Sequence, residues 1–401
     1  MTSYVARRLV SGVFTLFLFV TLLFFLVNIV VPGDYVSQFI LTAEQGEAIR
    51  EELGLDRPLF VQYFDWLRTL ITLDLGESFG GFEVWDAIVG ALPSTLLVLA
   101  VGLTVAFVLG GWLGRVSAYQ PSSFATGSLT FVAIAFLTAF PPALAFVMEH
   151  LLRSSLGFSG LGHFGGIEEE LWLTSSLSPG QVMWRVLAVF AITFVVLWAL
   201  ERLIQRVWRR RIHRLLFIAA MLAVPLLVWR SLGLSDRVFD LAGTLALLLT
   251  GVVLLTFGDV QLVTRAAMDD VLLEDYVLVA RAKGMPERQV RDHHAARTAL
   301  LPVLSRFTVS IPYFLTGLVI LEAVFGGVGA GSGFVGITQQ VFGPPGLGVL
   351  IFDAVRTQDT PLIVGSLLIV GAITLLLRIA LDVAHAALDP RIRFDGGKSG
   401  D

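Results

Sequence analysis

Residue types that perform catalysis or bind metal ions are few in this sequence. The chain has no cysteine, which excludes disulfides, thiolate nucleophiles and cysteine metal sites. The pairs His293-His294 and Glu149-His150 contain metal-binding side chains. Adjacent residues of a helix point about 100° apart and rarely chelate one ion together. We therefore expect no resident metal.

Two further segments could contact phosphate groups. The glycine-rich run 327–333 lacks the Lys-Ser/Thr ending and the preceding strand of a phosphate-binding loop, so it predicts a flexible external loop. With no such loop elsewhere, we expect that this chain binds no cofactor and does not hydrolyse ATP itself. The basic run from Arg206 to Arg214 is typical of contact with anionic lipid. The net charge of −4 gives no reason to expect nucleic-acid binding.

Charged residues are also scarce within the long apolar runs, and they lie near the ends of those runs. A charge at the centre of a bilayer costs about 2.5–3.5 kcal/mol on insertion scales, so such residues usually have a function. A secondary transporter would need acids at mid-depth, and an intramembrane enzyme would need paired catalytic residues. Neither pattern is evident, although a secondary transporter stays open as an alternative. The candidates are Asp259, Glu322, Arg378, Asp382 and His385.

The composition shows which elements must position these residues. Of the 401 residues, 56% are hydrophobic and only 15% are charged, against about 25% in an average soluble domain. A soluble globule of this size could not cover its surface with so few polar residues. The sequence therefore predicts an all-α polytopic protein of the cell membrane.

Eight uncharged runs are candidate membrane spans, and the first is predicted to be a retained helix rather than a cleaved signal peptide. With the N-terminus in the cytoplasm, most of the 28 basic residues lie on the cytoplasmic side. The positive-inside rule therefore predicts that both termini are cytoplasmic. The pair within 186–229 is interpreted either as two full spans or as a shallow hairpin, because its uncharged cores are short. The runs are Leu9–Val31, Leu92–Gly114, Phe124–Met148, Val186–Leu200, Leu215–Trp229, Leu241–Gly258, Phe307–Leu321 and Thr360–Leu377.

The long polar stretch 264–306 lies on the cytoplasmic side in this topology. Val277, Ala280 and Gly284 recur at helical spacing. Gly284 is suited to end a helix, and Pro286 is suited to the first turn of the next one. Pro302 is expected to end that second helix and to begin the next span. The pattern predicts two helices bent at Gly284, either as a plain amphipathic loop or as a docking element for a partner.

This stretch resembles the "EAA" coupling loop of ABC importer permeases, in the dipeptide/oligopeptide branch. Motifs outside the loop follow the same order as in that branch, so the resemblance covers most of the chain. In the loop, the matching residues are Thr264-Arg265-Ala266, Asp275-Tyr276-Val277, Ala280 to Gly284, His294-Ala295, Arg297 and Ala299 to Pro302. Elsewhere they are Pro32-Gly33-Asp34, Leu53 to Leu59, Gln62-Tyr63, Asp74-Leu75-Gly76, Ser78-Phe79, Glu322 to Gly326, Pro345 to Gly348 and Leu388 to Arg391.

The chain departs from the branch at three loop positions, Leu278, Pro286 and Thr298. Relative to the branch, two segments are interpreted as insertions, 160–235 and 327–343. The predicted organisation is therefore a first helix with an extracytoplasmic segment over 1–90, a permease domain over 91–390 and a cytoplasmic tail over 391–401. The domain would contain a six-helix core, an inserted helix pair and the loop 264–306.

The resemblance implies a non-catalytic subunit that forms the solute path of an ATP-driven importer. The implied partners are a second similar permease, two cytosolic ATP-binding subunits, an extracytoplasmic solute-binding protein and membrane lipids. Peptides are the solutes usual for this branch, with oligosaccharides or nickel as alternatives. Met285 and Val290 are expected to be buried in the elbow, with Arg288, Arg291 and His294 at its rim. The residues implied in coupling to the ATPase are Ala280, Arg281, Ala282, Lys283, Gly284, Met285, Arg288, Val290, Arg291, His294, Arg297 and Pro302.

Overall fold

The computed structural model describes residues 2–30, 36, 42–53, 55–72, 74–78, 81–120, 122–151, 172, 175, 177–208, 214–329, 346–357 and 359–388. Within these residues the named elements are helices, as the composition predicts. They are α1 (Thr2–Val30), α2 (Ala43–Leu53), α3 (Leu59–Ile71), α4 (Val84–Tyr119), α5 (Phe124–Leu137), α6 (Pro141–His150), α7 (Pro179–Trp208), α8 (Arg214–Ser231), α9 (Ser235–Val271), α10 (Asp275–Ala282), α11 (Glu287–Gln289), a π-helix (Val290–Ala295), α12 (Ala296–Gly329), α13 (Leu347–Arg356) and α14 (Thr360–Leu388).

Five helices of the described chain are long and apolar enough to cross a membrane: α4, α7, α9, α12 and α14. The bent pair α5 and α6 raises this number to six if it counts as one span. Two of the predicted runs, the first in α1 and the fifth in α8, form apolar helical stretches that are shorter than these spans. The stretches are Val10–Leu26 and Leu216–Ser231. The structure therefore establishes a multi-pass helical protein with five or six such spans, whereas the predicted number of eight includes these two.

The third predicted run is not one continuous helix. α5 ends at Leu137, α6 begins at Pro141, and the two are bent by 111°. Proline suits the first turn of a helix because its missing N–H is not needed there. The Tyr313 hydroxyl donates to the Leu137 carbonyl at 3.2 Å, which satisfies one carbonyl at the end of α5. The predicted run Phe124–Met148 is thus two helices separated by a full break.

Helices α4 and α9 approach each other closely because glycines face the partner backbone. A Cβ on Gly110 would lie 2.6 Å from the Phe257 carbonyl oxygen, and one on Gly114 would lie 2.7 Å from that of Gln261. On the other side of α9, Gly258 faces the Ala133 backbone of α5 in the same way. Small residues permit this contact between helices in a membrane, where van der Waals packing drives association.

The predicted insertion contributes a helical hairpin. α7 and α8 pack against each other, and α7 also packs against α4. Gly180 touches the Gly90 backbone at the start of this contact, and the Phe190 and Trp229 rings meet edge to face at 5.4 Å. The hairpin is therefore joined to the core.

Three segments named in the sequence analysis lie outside the described residues. They are most of the basic run 206–214, the part of 327–343 beyond Gly329, and the tail 391–401.

Residues 272–295 connect α9 to α12 at one end of the bundle, the elbow end. At the opposite end, buried carboxylates cap two helices. Glu322 of α12 accepts hydrogen bonds from Thr95 and from the Gly348 N–H at the start of α13. Asp359 accepts the Leu362 N–H in the first turn of α14 and also binds the Ser78 hydroxyl. These contacts fix the short helix α13 against the spans.

Candidate coupling site

The first arm of the elbow is α10, which follows a three-residue turn after α9 and ends at Ala282. The next glycine, Gly284, has φ of +75°. This left-handed conformation is available to glycine without a Cβ clash, so the predicted helix stop at this residue is confirmed. Pro286 then has extended backbone and directly precedes the second arm at Glu287. The predicted bend of two helices at Gly284 is therefore correct.

The second arm is not a separate helix. α11, the π-helix Val290–Ala295 and α12 follow one another without a break, and Pro302 lies inside α12. The prediction that Pro302 ends the elbow helix and begins a span is therefore wrong. An exposed position near the start of a long helix tolerates proline where neighbouring groups compensate for the missing hydrogen bond. As a consequence, the second arm continues directly into a membrane span.

A small apolar core joins the two arms. Val277 and Ala280 of α10 and Val290 of the π-helix are buried and pack together. Leu272 and Met285 pack against them from the turns. Val290 is fully buried, as expected, whereas Met285 is only half-buried. The elbow therefore has its own packed interior.

Polar contacts also cross between the arms. The Arg281 side chain forms an ion pair with Glu287 at 3.0 Å, which spans the bend at Gly284. The Tyr276 hydroxyl donates to the Thr298 hydroxyl at 3.0 Å and ties α10 to the first turn of α12. Both contacts are at exposed positions, so each stabilises by about 1 kcal/mol or less. They therefore set the relative orientation of the two arms and contribute little to the free energy of folding.

The elbow contacts the spans through an aromatic ring and a charged cluster. The Arg291 guanidinium lies 5.6 Å from the ring centre of Tyr119, the last residue of α4. Arg291 also makes two hydrogen bonds to Asp292, at 2.8 and 2.9 Å. The cation–π contact and the bidentate pair hold Arg291 in one orientation. Arg291 therefore links the second arm to the end of α4.

The predicted coupling residues form one continuous region but differ in exposure. Val290 and Ala280 are inside the elbow core, and Arg291 is half-buried against Tyr119. The side chain of Arg288 is 89% exposed, which fits the expected rim. His294 also lies at the exposed rim. The other exposed members are Arg281, Ala282, Lys283, Gly284, Arg297 and Pro302.

The sequence patterns missed three contributors to this site, Tyr119, Glu287 as a partner of Arg281, and Asp292. Tyr119 is separated from the elbow by more than 150 residues, so no local pattern indicates the contact. The acidic Asp292, four positions after Arg288 and next to Arg291, was a local signal for the charged cluster.

Comparison with known proteins agrees with this geometry. The family model described as "binding-protein-dependent transport system inner membrane component" matches residues 191–394, and the model of the N-terminal region of the same components matches residues 1–99. The chain belongs to this permease family. The family identifies it as a multi-pass protein of the cell membrane, in accordance with its long apolar helices.

Several relatives span the whole permease. A Brucella ovis protein whose name describes a peptide permease is 30% identical over 98% of this chain and 99% of its own length. The oligopeptide transport system permease protein AppB of Bacillus subtilis is 26% identical, and the dipeptide transport system permease protein DppB of Lactococcus lactis is 25% identical. Both alignments cover 98% of this permease and 100% of the relative.

Proposed function

We propose that this permease forms the solute path of an ATP-driven importer of di- or oligopeptides. The observation that carries the proposal is the packed elbow at residues 272–295, which is continuous with α12 and contacts the end of α4. The names of the full-length relatives AppB and DppB, which concern oligopeptides and dipeptides, support the solute class.

The proposed partners are two cytosolic ATP-binding subunits, a second similar permease and an extracytoplasmic solute-binding protein. One ATP-binding subunit binds the elbow. ATP is hydrolysed only in those partner subunits and not in this chain. Movement of the elbow tilts α12 and thereby opens the path alternately to each side of the membrane.

The energetics favour a packed elbow as the transmitting element. Shifting a two-state ratio from 1:99 to 99:1 requires about 5.5 kcal/mol of differential binding. An exposed ion pair such as Arg281–Glu287 supplies about 0–1 kcal/mol, so one such pair is not sufficient. A docked body with its own core, formed by Val277, Ala280 and Val290, transmits force because it does not deform locally.

In the proposed topology both termini and the elbow are cytoplasmic, and the shorter apolar stretches of α1 and α8 complete eight spans. The absence of cysteine from the chain makes this directly testable. Lys283→Cys and Asp56→Cys each place one thiol at an exposed position. An impermeant thiol reagent applied to intact cells should modify Asp56→Cys only, and modification of Lys283→Cys from outside would refute the orientation.

The function itself is tested by uptake and by purification. Cells lacking this chain should lose uptake of labelled di- and oligopeptides, and the restored chain should co-purify with subunits that hydrolyse ATP. Uptake that continues after ATP depletion, with the proton gradient intact, would instead indicate a secondary transporter. Labelled oligosaccharides and nickel serve as the comparison solutes. Loss of their uptake with peptide uptake unchanged would refute the peptide assignment.

A further inference from the structure

Helix α12 has a single exposed stripe that continues from the elbow into the span. Its exposed residues recur every three or four positions, while the positions between them are buried or half-buried. The exposed members are Ser305 and Arg306 at the elbow end of the span, and Val309, Pro312, Tyr313 and Thr316 within it.

This stripe is much more polar than the exposed surface of the neighbouring span α4. The exposed stripe of α4 over the same depth consists of Ala100, Val101, Thr104, Val105, Val108, Leu109 and Trp112, and its one hydroxyl is bonded to a backbone carbonyl. On α12 a guanidinium, a phenol and two further hydroxyl side chains are exposed. The Thr316 hydroxyl donates to the Pro312 carbonyl, as that of Thr104 does on α4, so the difference in polarity lies in Arg306, Tyr313 and Ser305. Polar groups at membrane depth generally face protein or a water-filled cavity.

The charge on the stripe is held by a buried carboxylate. The Arg306 Nε lies 3.7 Å from Asp259 of α9, and the Ser310 hydroxyl donates to the other oxygen of Asp259 at 2.7 Å. Asp259 is almost fully buried, whereas the Arg306 side chain is 56% exposed. A solute on this surface would therefore meet the guanidinium and not the carboxylate.

The broken helix lies beside the same stripe. Tyr313 is exposed and bonds to the Leu137 carbonyl, where α5 ends before the bend into α6. Phe140, in the break itself, is exposed as well. Irregular backbone at membrane depth is tolerated where it is buried in protein or lines a water-filled cavity. This second feature identifies the same side of the chain as the stripe does.

We propose that the stripe of α12 from Ser305 to Thr316, together with the helix break beside Tyr313, lines the water-filled solute path, with Arg306 as its charged element. The inference rests on the proposed function, which it deepens by assigning the surface that peptides contact. A free peptide carries a carboxylate, which an exposed guanidinium attracts.

Val309 and Val108 provide a matched test because both are 64% exposed in the structure. Val309→Cys and Val108→Cys are introduced separately into the full transporter in its native membrane, together with Thr316→Cys as a second stripe variant. Charged methanethiosulfonate reagents react with thiols in water but hardly with thiols in lipid. We expect modification of Val309→Cys and Thr316→Cys to be at least about tenfold faster than that of Val108→Cys, and slower when peptide and the solute-binding protein are present.

The charge of Arg306 is tested with the same thiol. Val309 lies one turn from Arg306, so the positive charge of Arg306 should raise the rate at which an anionic reagent modifies Val309→Cys and lower the rate for a cationic one. The measured quantity is the ratio of the anionic rate to the cationic rate. Arg306→Gln should lower this rate ratio about fivefold. One charge about 8 Å away across water changes the two rates in opposite directions, and the fivefold figure combines both changes. The double variant Asp259→Asn with Arg306→Gln avoids leaving a buried carboxylate unpaired. Its rate ratio should also be lower than that of the protein that keeps both Asp259 and Arg306.

ATP-dependent peptide uptake is measured in the same membranes. If uptake persists in the cysteine variants but Val309→Cys and Thr316→Cys are as unreactive as Val108→Cys, the stripe faces lipid or a dry subunit contact and the inference is wrong. Equal fast modification of all three positions would also refute it. If the ratio of anionic to cationic modification rates is unchanged in Arg306→Gln, Arg306 does not line the solute path. By contrast, peptide uptake that does not depend on this chain, or that proceeds without ATP, would refute the proposed function instead.

Discussion

The Glu322 carboxylate on α12 accepts the backbone N–H of Gly348 at 2.8 Å, in the first turn of α13. The Thr95 hydroxyl of α4 donates to both oxygens of the same carboxylate and itself accepts the Leu347 N–H at 2.9 Å. Three helices therefore meet at one buried acid. Because an anion is favoured at a helix N-terminus, this contact holds α13 in place at the end opposite the elbow.

Replacing this acid should destabilise the protein. Glu322→Ala leaves the Thr95 hydroxyl and the Gly348 N–H without their acceptor, and a lost buried hydrogen bond to a charged group costs about 1.5–3 kcal/mol. Glu322→Gln keeps one acceptor oxygen and should lose less. Thermal unfolding of the purified protein in detergent measures the difference, and an Ala variant as stable as the Gln variant would contradict it.

Gly346 tests the same contact from the other side. A Cβ at this position would overlap the Glu322 carboxylate, which is held by its hydrogen bonds and cannot move away freely. Gly346→Ala should therefore lower the unfolding temperature as Glu322→Ala does. Combining the two substitutions should cost less than their sum, since the Ala side chain at 322 leaves space for the new methyl. Strict additivity would show that the two residues are not coupled.

Adjacent glycines on α4 give a matched pair for the helix packing. Gly110→Ala would place a methyl 2.6 Å from the Phe257 carbonyl oxygen, whereas a Cβ on Gly111 would meet no atom beyond its own helix backbone within 4 Å. We expect Gly110→Ala to cost about 1–3 kcal/mol through overpacking. Gly111→Ala should be neutral or slightly stabilising, because alanine favours helix over glycine by about 1 kcal/mol. Equal unfolding temperatures for the two variants would contradict the α4–α9 contact.

The elbow core predicts a different pair. Val290 is fully buried between the two arms, whereas Leu278, on the other face of α10, is 55% exposed. Val290→Ala should reduce stimulation of the ATPase by peptide, because a cavity loosens the core that joins the arms. Leu278→Ala removes a comparable side chain without loosening it. The measurement is ATP hydrolysis of the assembled transporter with and without peptide, and equal stimulation in both variants would count against a role for the core.

The elbow could be predicted from sequence because its signals are local. Gly284, Pro286 and the spacing of Val277 and Ala280 indicate two short helices and their buried face. The contact of Arg291 with Tyr119 and the capping of α13 by Glu322 were not predictable. Their partners are distant in the chain and are brought together only by the packing of the spans.

Helix ends were predicted less well than helix positions, and the reason is physical. Uncharged runs mark where lipid contacts the chain, but a helix continues into water as long as its backbone is satisfied. α9 and α12 therefore extend beyond their apolar runs, through Thr264 and Pro302. In contrast, the Phe124–Met148 run has no charge to mark its break, which depends on Pro141 and on the carbonyl contact with Tyr313.

Gly284 and Gly233 share a left-handed backbone, with φ of +75° and +65°, and at both positions a Cβ would meet no atom beyond the adjacent residues within 4 Å. Valine is strained equally in both turns, at a cost of about 1–3 kcal/mol. Only Gly284 sets the angle between the elbow arms, since Gly233 lies in the turn between α8 and α9. Gly284→Val should therefore uncouple ATP hydrolysis from peptide uptake, whereas Gly233→Val should leave their ratio unchanged at similar loss of stability. Uptake per ATP hydrolysed, measured for both variants in proteoliposomes, tests this, and an unchanged ratio in Gly284→Val would show that the bend does not transmit the motion.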